Sequence, residues 1–365
     1  MDSVTQFALG AAVGTAVLGR RIGLRRAALS GGLLGTMPDL DVFWPGGGPV
    51  ERFVNHRGAT HSLIMMTLVT PVFGEGLRRL FADLARDRAA AYLAVFLCLS
   101  THALLDSLTI YGTQLFWPLW SEPVGLGSIF IIDPLYTLPL LAVTLWALFQ
   151  KPWSQRYARY LTAALVISTA YLGWSIVAQQ WMTAIGHRVL AERGTNPQEV
   201  MAIPTPFNTL FWRVIALDGP RYYNVYVPVL GGDEAVTVYG HRRWSPAIAC
   251  GIDDVLAGNR PARRLARFSD GFFRADLRDG TLEISDLRMG LTHGYVFRFA
   301  VAELDETGWR EIPPRRLLST QPLPGDLQWL RAGALGQSSL RPAERAEVLD
   351  GPARKLAVAS AAGAC

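Results

Sequence analysis

Apolar positions in this chain gather into long uninterrupted blocks in the first half and into short alternating runs in the second. Residues 5–18, 27–36, 62–72, 89–105, 129–149 and 160–178 are almost free of charge. A helix needs about 20 apolar residues to cross the hydrocarbon core of a bilayer. The last three blocks meet or approach that length. The first three are shorter and fit tilted partners, half-helices or a re-entrant pair buried against the others. The pattern predicts an all-α polytopic membrane domain over residues 1–183. It would hold about four to six apolar helices, the number depending on whether the first ones cross fully or by half.

Beyond residue 185 the charge density rises and the period shortens. The run Phe211-Trp212-Arg213-Val214-Ile215-Ala216-Leu217, the turn Asp218-Gly219-Pro220 and the run Arg221-Tyr222-Tyr223-Asn224-Val225-Tyr226-Val227 read as strand, turn and strand. Further strands are expected at 235–239, 282–286 and 294–302. These predict a small β-rich soluble domain over residues 209–345, without long helices. A connector with Gly194, Pro197, Pro204 and Pro206 would precede it at 184–208, and a disordered, Ala-rich tail would follow at 346–365. Tyr222, Tyr223, Tyr226 and Trp244 read as sheet packing.

Composition supports the division. The 365 residues are 50% hydrophobic and 18% charged, against about a quarter charged in soluble domains. Such a chain is not intrinsically disordered, and three Cys in this length do not make a disulfide scaffold. The net charge of +5 is scattered, with no basic tract to suit nucleic acid. Where the cations fall is more informative. Arg20, Arg21, Arg25 and Arg26 form one cluster; Arg78, Arg79, Arg86 and Arg88 a second; Lys151, Arg156 and Arg159 a third. If every block crosses, all three clusters lie on one side, which the positive-inside rule makes cytoplasmic. The connections 37–61 and 109–128 and everything after Met182 then face outward. No positive region precedes the first block, so it does not read as a secretory signal. Gly10 and Gly14 give it a small-xxx-small face suited to close helix packing.

The outward connections hold the reactive side chains. One carries Pro38-Asp39-Leu40-Asp41 and then Asn55-His56-Arg57-Gly58-Ala59-Thr60-His61-Ser62. The fourth block ends in Thr101-His102-Ala103-Leu104-Leu105-Asp106, where His102 and Asp106 share one helix face. Taken alone, Asp39 and Asp41 could cap a helix, and His56 and His61 could be solvated loop residues. His102 and Asp106 sit at the edge of an apolar segment, where ionisable groups are costly and face a cavity or a partner. His nitrogens and carboxylates together suit a divalent metal, zinc best, with manganese or iron as alternatives. His56, His61, His102 and Asp106 are the expected ligands. Asp39 or Asp41 would complete the shell or act as general base. Arg57 would hold an anionic substrate, or else a lipid headgroup or carboxylate. Thr60 and Ser62 read as supports or caps, Cys98 as a small hydrophobe, and His187, His241 and His293 as mutually separate structural or solvated residues. Cys250 and Cys365 would both lie outside the cytoplasm, where a disulfide can form.

The first half of the chain resembles the YdjM-like family of membrane-bound metal-dependent hydrolases. The resemblance is carried by Met1-Asp2-Ser3-Val4-Thr5, by Gly35 through Asp41, by His56-Arg57-Gly58-Ala59-Thr60-His61-Ser62, and by Thr101-His102 through Asp106 with Tyr111-Gly112-Thr113. It implies a helical membrane protein with a divalent metal and a hydrolytic role. Members of the family commonly carry Thr-His near the N-terminus, where this chain has Thr5-Gln6, and a Gln offers only a weakly ligating carbonyl oxygen. Two functions are expected to compete. One is a hydrolase at the outer face of the inner membrane, working on an amphiphilic or lipid-linked substrate within the bilayer. The other is a non-catalytic transporter or assembly factor that uses the same cluster as an ion site or latch.

Overall fold

The computed structural model describes residues 1–43, 46–150, 152–246, 248–306, 308–318 and 324–347. Among these, seven α-helices come first: α1 (Ser3–Ile22), α2 (Leu24–Thr36), α3 (Pro49–Asn55), α4 (Leu63–Leu80), α5 (Arg88–Ser107), α6 (Pro134–Phe149) and α7 (Gln155–Glu192). A helical N-terminal region is thus followed by a β-rich C-terminal one. The chain divides into two compact units. The first comprises Met1–Pro45, His56–Val177 and Pro206–Asn208, and the second comprises Gly46–Asn55, Ala178–Thr205 and Thr209–Cys365. The segment bearing α3 therefore groups with the second unit, although it lies inside the first by sequence.

In the first unit, the helix starts are set by side-chain caps. Asp2 accepts from the Val4 and Thr5 amides at the head of α1, Ser62 accepts from the Met65 amide at α4, and Asp87 accepts from the Ala90 amide at α5. Gly23, with φ 83°, turns the chain between α1 and α2. These two helices meet through glycine on both sides: a Cβ on Gly31 would lie 2.3 Å from the Gly10 carbonyl oxygen, and one on Gly10 would lie 2.9 Å from Gly35 Cα. Only glycine permits that approach, and it brings Gly35 toward α5. Small residues continue the packing, with Ala8, Ala11 and Ala12 in one apolar cluster and Ala90, Ala91 and Ala94 in another.

Among the described residues, two helices, Arg88–Ser107 and Gln155–Glu192, are long and apolar enough to cross a membrane, and Pro134–Phe149 is a shorter apolar helix. Four to six were expected. The first two blocks form α1 and α2, whose inner faces are small residues rather than bulky hydrophobes. In α4, Glu75, Arg78 and Arg79 interrupt the apolar run.

The second unit is built on two antiparallel four-stranded sheets. One has the order β1 (Glu199–Pro204), β2 (Phe211–Asp218), β3 (Arg221–Pro228), β4 (Thr237–Arg242). β2 and β3 form the expected hairpin, pairing Asp218 with Arg221 across Gly219 and Pro220. Two short helices follow, α8 (Ile252–Gly258) and α9 (Arg260–Phe268). The second sheet uses β5 (Phe273–Arg278) and β6 (Thr281–Asp286), then β9 (Arg298–Asp305) and β10 (Gly308–Leu317), in the order β10-β9-β6-β5. Between them, β7 (Gly290–Leu291) and β8 (Gly294–Tyr295) make a small hairpin, and α10 (Asp326–Ala334) lies near the end. The expected strand at 294–302 is thus split into β8 and β9. The connector is shorter than expected, because α7 continues to Glu192 and β1 begins at Glu199, at the edge of the first sheet. Residues 348–365 lie outside the described residues, and with them most of the expected tail and the proposed partner of Cys250. Cys98 is a buried free thiol.

Candidate metal centre

The site is assembled in the first unit from the 3-10 segment Met37–Phe43, the short turn Ala59–His61 and the last turn of α5. One ligand atom from each of Asp39, His61, His102 and Asp106 can be chosen so that all lie within 4.8 Å of one another, a group that could hold a metal ion. The side chains of His61, His102 and Asp106 are fully buried, while that of Asp39 is 23% exposed at the mouth.

The hydrogen bonds around the two imidazoles fix which ring nitrogens face inward. His102 Nδ1 is 2.6 Å from the Gly35 carbonyl oxygen, which can only accept, so Nδ1 carries the proton. On the other ring, the Thr60 hydroxyl donates to Asp41 Oδ2 at 2.9 Å and accepts from His61 Nδ1 at 2.9 Å. Both Nε2 atoms are left with lone pairs, and they face each other at 3.0 Å. Asp39 Oδ1 stands 3.3 Å from His61 Nε2 and 3.6 Å from His102 Nε2. Asp106 Oδ2 is 3.5 Å from each Nε2 and has no hydrogen-bond partner. When both rings are neutral in these tautomers, four acceptors converge. Such an arrangement in a buried site is costly unless a proton or a metal ion is bound among them.

The electrostatics point the same way. Burial pushes the Asp39 carboxyl up, but the His102 and His61 imidazoles beside it, on taking up a proton, outweigh burial and hold the group well below the usual carboxylate range. Burial pushes the His61 imidazole down, yet Asp106 and Asp39 overcome that and raise its affinity for a proton. A site that binds a proton this strongly offers the same field to a metal ion.

The remaining expected site residues take other places. His56 Nδ1 pairs with Asp41 Oδ1 at 2.8 Å and lies outside the four-residue group. Asp41 also accepts from the Arg57 amide at 3.1 Å, so one carboxylate gathers His56, Arg57 and Thr60. Burial raises the Asp41 pKa, but the neighbouring groups, His56 foremost, bring it below normal. Arg57 has φ 64°, a left-handed conformation rare for a residue with a Cβ. Its carbonyl accepts from the Gln114 amide at 3.0 Å, so the strained backbone is held from both sides. Its guanidinium is buried, donating to Thr109 Oγ1 at 3.0 Å, lying 5.0 Å over the Tyr111 ring and placing Nε 3.1 Å from Asp106 Oδ2. The expected anion clamp is thus paired with a carboxylate of the site.

Asp106 Oδ1 is held by Gln6 Nε2 at 2.9 Å and by the Met1 amino group. The partners of Gln6, Gly35 and Thr109 could not be read from the sequence, because each acts across 52 to 100 residues of chain. Ser62 caps α4 and also donates to the Trp117 carbonyl at 2.5 Å, in line with its reading as a support.

In the second unit, His241 and His293 are not separate, as expected, but have ring centroids 5.7 Å apart. His241 Nε2 is 2.9 Å from Glu344 Oε1. This carboxylate is distant in sequence and belongs to no recognisable motif.

Residues 1–182 match the family model described as YdjM inner membrane protein. No curated protein matches the chain, and no solved structure does.

Proposed function

From the premise that the chain belongs, through residues 1–182, to the YdjM inner membrane protein family, we propose that it is a metal-dependent hydrolase of the membrane surface. The carrying observation is the convergence of Asp39 Oδ1, His61 Nε2, His102 Nε2 and Asp106 Oδ2, which turn lone pairs toward one another when both rings are neutral. Five of their six separations run from 3.0 to 3.6 Å, and the four residues offer ligand atoms within 4.8 Å of one another. Ligands at 2.0–2.1 Å in a tetrahedron stand about 3.3–3.4 Å apart, so the set fits zinc, with manganese or iron as alternatives.

His61, His102 and Asp106 would form the buried part of the shell, and Asp39 its partly exposed member. A divalent ion held there would lower the pKa of water toward neutrality and polarise a carbonyl or phosphoryl oxygen. Gly35 and Thr60 hold the two rings in the ligating tautomer. Arg57 and Gln6 orient the Asp106 carboxylate, and the guanidinium balances its charge. Asp39 would accept the proton of the attacking water. His56, its Nδ1–H directed at Asp41, presents an Nε2 lone pair that can take this proton over and return it to the leaving group. His56 is therefore assigned to proton transfer rather than to the metal.

The membrane domain crosses several times with the three Arg and Lys clusters in the cytoplasm, and the β-rich domain lies on the opposite side. Reporter fusions at Arg86 and Gly232 should then give opposite compartments.

A second reading has its own support: four protein donors at tetrahedral spacing could close the shell and make the ion a latch. Elemental analysis of detergent-purified protein, with hydrolysis of ester and phosphodiester probes before and after chelation, tests both. Stoichiometric metal and chelator-sensitive turnover are expected. Asp39→Asn should keep the metal and lose turnover if the site is catalytic; loss of metal with no turnover in the wild type favours the latch. Wild type that holds no metal and takes none up would overturn both.

A further inference from the structure

The segment after α5 ends in an exposed aromatic turn, Phe116-Trp117-Pro118-Leu119-Trp120, that neither the metal shell nor the apolar core uses. Phe116 is 44% exposed, Leu119 85% and Trp120 49%. The turn is rigid: Phe116 and Trp120 form a β-bridge, and their rings stack with centroids 5.9 Å apart. It is also fastened to the site. The Leu63 amide donates to the Leu115 carbonyl at 2.9 Å, Ser62 Oγ to the Trp117 carbonyl at 2.5 Å, and the Gln114 amide to the Arg57 carbonyl at 3.0 Å. Ser62 and Arg57 directly flank the metal-ligand segment, so the turn and the cluster keep a fixed relation.

Three observations say what covers this turn. It stands at the start of α4, whose exposed side chains Leu68, Val72 and Phe73 continue the apolar surface along the helix. That surface ends at Arg78 and Arg79, in the last turn of α4. The 12 residues of α4 before Glu75 rise about 18 Å, so this apolar surface reaches part-way into a hydrocarbon core. The neighbouring span α5 runs from Arg88 to the level of the cluster at Asp106, so both helices place arginines at one end and the site at the other. Trp and Phe at one end of an apolar helix, with Arg at the other, is the distribution that bilayer interfaces select.

We infer that the turn at residues 116–120 is seated in the lipid headgroup–acyl boundary and fixes the metal cluster at that depth. A second exposed ridge, Leu40, Val42 and Phe43, alternates with Asp39 and Asp41 on the 3-10 segment and borders the same mouth. A substrate would thus be presented from the bilayer by its headgroup, with its acyl part remaining in lipid. The inference rests on the membrane reading of the family and not on hydrolysis; the metal can be absent and the seat still real.

The test is site-directed spin labelling of the full chain in phosphatidylethanolamine–phosphatidylglycerol vesicles. Leu119→Cys and, as an aqueous reference, Glu234→Cys are made in a background with Cys98, Cys250 and Cys365 replaced by Ala. Metal content is measured on the same samples, so that a failed metal site is seen separately. The label at 119 should collide with oxygen freely and with a water-soluble nickel chelate several-fold less often than the label at 234. Equal nickel accessibility at the two positions would overturn the inference. So would protection of 119 from both reagents, which would mean that protein, such as a second copy of this chain, covers the turn.

Discussion

Each unit buries a knot of charged side chains, and the two knots are wired in opposite ways. In the β-rich unit, Glu344 Oε1 receives Asn224 Nδ2 at 2.5 Å and His241 Nε2 at 2.9 Å. Its Oε2 receives the Tyr226 hydroxyl at 2.6 Å and Arg341 Nη1 at 3.2 Å. Arg341 completes the circuit with two further bonds to Asp326, at 2.7 and 2.9 Å. Each Glu344 oxygen has two donors facing it. In the helical unit, Asp39, His61, His102 and Asp106 turn acceptors toward acceptors. A fully matched knot ties strands to a distant segment and needs nothing more; an unmatched one is a place for a cation.

The largest effect should come from breaking the matched knot. Glu344→Ala leaves Arg341 and His241 buried without their carboxylate and should cost about 3–5 kcal/mol of stability in the β-rich unit. Denaturant melts should show the loss while bound metal stays unchanged; a wild-type melt would erase the distinction between the two knots. Next comes removal of a ligand from the unmatched one. Losing a residue that only supports a ligand costs about 10–100-fold in metal affinity, so His102→Ala should exceed about 100-fold, and Asp106→Ala likewise. Competition with a chromogenic chelator reads this directly. A smaller loss, about 10–100-fold, is expected for Thr60→Val, which takes away the acceptor that holds His61 in its ligating tautomer. Unchanged affinity there would show that the ring needs no such support.

Acid should produce the mildest change and again separate the units. Burial raises the Glu344 pKa, but His241 and Arg341 lead the contacts that bring it down to about 2, against an ordinary 4.5. The unfolded chain therefore takes up this proton first. The stability contributed by Glu344 is complete above about 4.5 and is lost as pH falls toward 2. Melts recorded between those limits should shift downward for the wild type. Glu344→Gln, which cannot titrate, should be flatter over the same range. Equal slopes would remove Glu344 as the source.

Much of the helical unit could be read directly along the chain, because helix-edge spacing is local. His102 and Asp106 are four residues apart on one face, and no tertiary contact is required to see it. The glycines of α1 and α2 announce close packing for the same reason, since a missing Cβ is a property of the residue. The β2–β3 hairpin was legible from its alternation and its Gly-Pro turn. Helix count was not: a block of small apolar residues looks alike whether it faces lipid or another glycine-lined helix, and only its neighbour decides.

The same division runs through the site. Charge bias and hydrophobic length led to the expectation that His, Asp and Arg gather near one end of the apolar helices, and Asp39, His61, His102 and Asp106 lie together in the structure. Sequence set His56 among the ligands and left Asp39 or Asp41 to complete the shell or act as base, since all three lie in the same polar stretch and all suit a metal. Tertiary structure made that choice by sending His56 to Asp41 and turning Asp39 toward the two Nε2 atoms. It also brought Gln6 and Arg57 to Asp106 and Gly35 to His102 across 49 to 100 residues. In the other unit it joined Glu344 to His241 across 103 residues, with no motif to foretell it. The physical reason is common to all of them: residue type and local period decide what a side chain can donate or accept, while the partner that completes it is fixed only by packing.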